Sequence, residues 1–191
     1  MNVLQNLSTL PGVQVALDRA GRLSRLLRRG ENEIDGPTLP SADEWILALL
    51  YAPDPSGEPN PVPIPGEFTV RLGLFAVSKQ LQTVSGRRSP FSFRPSERGP
   101  YDESVGEALE RLESQGDIER QRIDHSKFDD YEYRLTEAGL QRIESRYARL
   151  QWVERIEIER VKDDYVLSPV GDLILYCESK DSSMFEGNLI R

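Results

Sequence analysis

Between Gly99 and Gly139 the apolar residues change period twice, and the changes predict an order of elements. Val105, Ala108, Leu109 and Leu112 recur at three- and four-residue spacing, the single buried stripe of an amphipathic helix. Pro100 precedes that helix, Asp102 is placed to cap its first free amides, and Glu103 suits the positive end of its dipole. Gln115-Gly116 supplies a left-handed stop. The period then falls to two: Ile118, Arg120 and Arg122 share one face of a strand, Glu119, Gln121 and Ile123 the other. Tyr131, Tyr133 and Leu135 alternate in the same way on a return strand, with Asp124 to Asp130 as the turn. Thr136 is the natural N-cap of a further helix with Leu140, Ile143, Tyr147 and Leu150 as its stripe. Helix, strand, turn, strand, helix is the back half of a winged helix, which sets one helix and one hairpin against a partner, most often duplex DNA.

Upstream, Ser41 caps a helix predicted from Asp43 to Tyr51, and Ala52 to Pro65 reads as a proline-punctuated loop too polar for a strand. Phe68, Leu72, Phe75, Ala76 and Leu81 then mark a second helix. Residues 12 to 30 predict a basic amphipathic helix, with Val13, Ala16, Leu17, Ala20, Leu23 and Leu27 on one face and five arginines around the rest. Gly30 to Pro40, rich in Gly, Pro and acids, reads as a linker. Downstream, Trp152, Val153, Ile156, Ile158 and Val161 either continue the preceding helix or form a short strand, and Val166, Leu167, Val170, Leu173, Ile174 and Tyr176 make a last apolar stripe. That stripe either pairs two protomers or packs back onto the first helix. The predicted organisation is a basic helix and linker over 1–36, a winged-helix domain over 37–150 and a helical extension over 151–191 that is a dimerisation element in the first case. The fold class is mainly α with a small β-hairpin, α+β.

Composition changes the reading of the partner. Of 191 residues, 32 are acidic and 24 basic, a net charge of −8 that argues against indiscriminate binding to nucleic acid or anionic lipid. Arginine far outnumbers lysine, whose copies are Lys79, Lys127, Lys162 and Lys180, a bias that suits a high-GC genome or a salt-loving archaeon. No apolar run approaches the roughly 20 residues that span a bilayer, and the N-terminus lacks the basic start and apolar core of a secretion signal, so a cytoplasmic protein is expected. One histidine, His125, reads as a surface turn residue, and the single cysteine, Cys177, as a structural one. With one of each, and with no Gly-rich phosphate loop or nucleophile elbow, no catalytic residue, metal site or cofactor is expected.

Two charged surfaces remain. In SGRRSPFSFRPSERGPY, Arg87, Arg88, Arg94 and Arg98 interleave with Phe91 and Phe93, a pattern that holds phosphates or stacks on bases, or a solvated loop that its phenylalanines anchor to the core. With Arg120, Arg122 and Lys127 on the hairpin they make the DNA-contacting set. The helix that would face DNA instead offers Glu103, Glu107, Glu110 and Glu113, relieved by Arg111, and carboxylates are repelled by a phosphate backbone. These four glutamates suit a basic protein partner.

The strings ILALLYAP (Ile46 to Pro53), PIPGEFTVRLGLFAVSKQL (Pro63 to Leu81), RGPYDESVGEALERLESQGDI and YRLTEAG follow an order that resembles YwgA-like predicted regulators and the related SocA-type antitoxins, marked by Gly-Pro-Tyr before the third helix. The resemblance covers residues 41 to 180, and DLILYCESKDSSMFE is similar to the family's closing helix and tail without its proline-containing YPE segment. It implies a homodimeric, DNA-binding transcriptional regulator, or an antitoxin-like module that binds a protein.

Overall fold

Ser41 starts the first helix as its spacing predicts: its hydroxyl accepts from Glu44 N at 3.3 Å, and α1 (Ala42–Tyr51) follows. The computed structural model describes residues 39, 41–53, 62–123 and 131–186. The predicted basic helix at 12 to 30, the turn with His125 and Lys127, and nearly all of the 30 to 40 linker lie outside these. The chain divides between Asp35 and Gly36, and every described residue belongs to the second unit.

After α1 come β1 (Ile64–Pro65), α2 (Gly66–Ser85), α3 (Glu103–Gln115), β2 (Ile118–Arg122), β3 (Tyr131–Leu135) and α4 (Glu137–Tyr147). Then α5 (Trp152–Val161) runs through a π-helical turn at Lys162–Val166 to α6 (Val170–Lys180) and a 3-10 turn at Ser182–Met184. The described residues are mostly helical with a three-stranded antiparallel sheet in the order β1-β3-β2, an α+β arrangement. The sheet corrects the reading of Ala52 to Pro65 as loop throughout: Ile64 pairs with Tyr133 and Pro65 with Glu132. Two residues carry too little alternation to announce a strand, and Pro65 is tolerated because β1 is an edge.

Both ends of α3 form as the sequence requires. Asp102 Oδ1 accepts from Ser104 N at 2.9 Å, and Gly116 closes the helix at φ 76°. Val105, Ala108, Leu109 and Leu112 are all buried, each large side chain contributing about 1.5–3 kcal/mol. Thr136 caps α4 by accepting from Gly139 N at 3.1 Å. Gly139 itself is fixed by contact, because a Cβ there would overlap the backbone oxygen of Asp117.

Helix α1 is buried along nearly its whole length, acids included. Asp43 takes Arg111 Nη2 at 2.6 Å and lies 4.0 Å from Arg142; Glu44 pairs with Arg146 and Asp117 with Arg142. Arginines of α3 and α4 thus clamp the N-terminus of α1, where carboxylates also favour the helix dipole. At the other end of α1, Lys162 is 1% exposed and donates from Nζ to Leu50 O at 2.7 Å and to Ala52 O at 2.9 Å. A buried ammonium therefore caps the C-terminal carbonyls of the central helix.

The segment after residue 151 is a separate helix, α5, started by Gln151 and neither a strand nor a continuation of α4. It packs, with α6, on α2, so the last apolar stripe turns to the second helix and not back onto the first. Cys177 is buried, its Sγ 3.5 Å from Leu72 O, and burial pushes its thiol up to about 12. The unfolded thiol titrates near 9, so protonation favours the fold: this contribution is complete below pH 9 and is lost as pH rises toward 12. A thiol reagent at pH 8 should therefore leave Cys177 unmodified in native protein and label it fully in urea; rapid native labelling would contradict the buried placement.

Candidate nucleic-acid interface

The loop between α2 and α3 is built by its own aromatic residues. Phe91 meets Trp45 edge-on at 6.2 Å, Phe93 meets Phe75 at 5.4 Å, and the two phenylalanines lie 5.5 Å apart. Phe91 is thus a buried anchor to the core, while Phe93 anchors the loop and keeps part of its ring exposed. Arg94 and Tyr101 exchange backbone hydrogen bonds of 2.9 Å each, while Ser92 N donates to the second carboxylate oxygen of Asp102. Asp102 therefore holds both the loop and the start of α3. Ser96 closes the turn between, accepting from Gly99 N at 3.0 Å and donating from Oγ to Gly99 O at 2.6 Å.

Gly-Pro-Tyr has a physical cause here. Gly99 has φ 97°, and the Phe185 ring lies against it so closely that a Cβ would come within 2.7 Å of the ring. Glu186 N donates to Ser96 O at 3.2 Å, and Lys79 donates to Asp181 at 2.7 Å, so the C-terminal tail is strapped to the loop and to α2. Tyr101 carries two guanidiniums on its ring, Arg71 at 4.7 Å and Arg94 at 5.4 Å.

The predicted cations fall into two groups. Arg87 is drawn inward to an ion pair with Glu154, whose side chain is 2% exposed. Burial raises the pKa of Glu154, and Arg87 opposes that shift. Glu154 also accepts from Gln151 N at 3.2 Å, so it ties the start of α5 to the loop, and Arg87 is a structural residue. Arg120 lies 3.4 Å from Glu113 and 5.0 Å over the Tyr131 ring. Arg88, Arg94, Arg98 and Arg122 are exposed, and none of the four pairs with a carboxylate among the described residues. Lys127 is outside those residues.

Glu103, Glu107 and Glu110 are exposed on α3 and Glu113 is half-buried beside Arg120. Arg111, the cation among them, is turned to Asp43, and the hydrogen bond it donates to that carboxylate raises its pKa. The outer face of α3 is therefore more acidic than its sequence, while cations gather at its N-terminal end. Sequence reasoning missed Glu154, Asp181 and Phe185 as partners of the loop, since each is remote in the chain; the sole signal for Glu154 was an acid three residues after Gln151, at the start of an apolar run.

Among the described residues no group of three or more His, Cys, Asp or Glu is placed to hold a metal ion, and no helix is long and apolar enough to cross a membrane. Comparison of the chain with family models, with curated proteins and with solved structures gives no match in any of the three.

Proposed function

We propose that the chain is a winged-helix DNA-binding transcriptional regulator of the YwgA-like kind, acting as a homodimer, whose phosphate contacts come from the flanks of α3. The observation that carries this reading is topological. The sequence of elements α1-β1-α2-α3-β2-β3 with sheet order β1-β3-β2 supports a winged-helix reading, in which α3 would be the recognition helix and β2-β3 the wing. Exposed Arg94 and Arg98 stand beside the N-terminal end of α3, and Arg122 ends β2 at the turn end of the wing. A row of cations in this position meets a phosphate backbone while the glutamates stay outside the groove.

Fluorescence anisotropy with duplex from the protein's own upstream region, titrated with salt, tests it. Upstream duplex should bind more tightly than random duplex, with two chains per site, and the double variant Arg94→Ala/Arg98→Ala, which removes two contacts from each chain, should reduce the salt slope by about 3.6, roughly 0.9 per phosphate contact. Equal and salt-independent binding of both duplexes, or none at low salt, would remove the reading.

A second reading has its own observation: Arg111 gives its hydrogen bonds to Asp43, so that Glu103, Glu107 and Glu110 form no ion pair within 4 Å among the described residues on the exposed face of α3. Such a face suits a basic protein partner, as an antitoxin-like module would need, and the absence of DNA binding would favour it.

A further inference from the structure

A groove of about 510 Å³ lies between the C-terminal half of α2 and the loop that follows. In a chain of net charge −8, its lining among the described residues contains three cations, Lys79, Arg87 and Arg88, and no carboxylate. The acids that balance two of them stand outside the lining: Asp181 holds Lys79 from the tail and Glu154 holds Arg87 from α5. Arg88 is exposed and has no ion pair or side-chain hydrogen bond with a described residue. Beside these cations are Phe91, Phe93 and Met184, with the ring positions already fixed by Trp45 and Phe75.

The geometry points to a binding site for a small organic anion, a carboxylate or phosphate carried on a flat apolar body. The anion sits on Arg88, whose planar guanidinium matches a two-oxygen acceptor, and the body lies along Phe93 and Met184. Lys79 and Arg87 are balanced by their acids, so Arg88 supplies the charge that the ligand meets, and the volume is that of an ordinary small-molecule site. Metal cations are excluded by the lack of a lining acid. A duplex phosphate could reach Arg88 from outside, but it would leave the aromatic floor unused. The site is independent of the DNA-binding reading and stands if that reading fails.

Heteronuclear NMR titration of the full chain with naphthoate tests it, with naphthalenemethanol as the ring without the charge and inorganic phosphate as the charge without the ring. Naphthoate should shift the amides of Arg88, Ser89, Ser92 and Phe93 saturably, and each comparator should bind at least about tenfold more weakly. Arg88→Ala, at an exposed position, should weaken naphthoate about tenfold or more, while Arg98→Ala leaves it unchanged. Absence of saturable shifts at roughly 10 mM naphthoate, equal affinity in Arg88→Ala, or shifts centred elsewhere would overturn the proposal. So would displacement of naphthoate by duplex DNA, which would assign the groove to the nucleic-acid surface.

Discussion

Replacing Lys162 by methionine is expected to destabilise the fold by about 3–5 kcal/mol, read as a fall in the urea midpoint with an unchanged slope. Methionine fills nearly the same volume, so the loss is not that of a cavity. It removes the two donors that satisfy Leu50 O and Ala52 O, and each buried carbonyl left unpaired costs about 1–3 kcal/mol. Those carbonyls end α1, against which α2, α3, α4, α5 and β3 all pack, so the penalty falls on a helix that several elements share. A partly exposed pair such as Arg160 with Glu157 on α5 would by contrast contribute about 0–1 kcal/mol. A loss under about 1 kcal/mol for Lys162→Met would mean that water or another donor satisfies the end of α1.

Gly139→Ala is expected to cost about 3 kcal/mol or more, although helix propensity alone predicts a gain of about 1 kcal/mol. The two principles give opposite signs, and the contact decides between them. The atom in the way is the backbone oxygen of Asp117, which accepts from Thr136 N at 3.0 Å and from Thr136 Oγ1 at 3.1 Å. A flexible side chain could rotate away; this carbonyl is pinned where the start of β2 meets the start of α4. Thermal unfolding followed by circular dichroism measures the effect, and a raised midpoint would overturn the argument.

What the sequence makes legible is local. Ser41, Asp102 and Thr136 announce their helices because an N-cap contacts residues two or three positions on, and the stripe of α3 follows from a period confined to one element. The alternation of β2 and β3 is equally local, and the pairing of Ile118 with Leu135 and Arg122 with Tyr131 follows from it. Long-range features are hidden for the same reason. Nothing near Arg87 in the chain separates it from Arg88, yet one is held by Glu154 and the other faces solvent. Asp43 and Glu44 look like ordinary first-turn acids, and only the arrival of three arginines from α3 and α4 permits their burial. Lys162 looks like one end of a polar turn between two apolar runs, and β1 is too short to show a period.

The division of the arginines bears on how this sequence can drift. Arg87, Arg111, Arg142 and Arg146 hold buried carboxylates, Arg111 with a forked grip that lysine lacks, so exchange to lysine at these sites would be selected against even in a lineage that had lost its partner. Arg88, Arg94, Arg98 and Arg122 owe the fold no ion pair among the described residues. Arg94 still lies over the Tyr101 ring, but the side chains of Arg88, Arg98 and Arg122 are free to be lost once nothing anionic selects for them, so retention of positive charge at those three positions in diverged sequences would report a working surface.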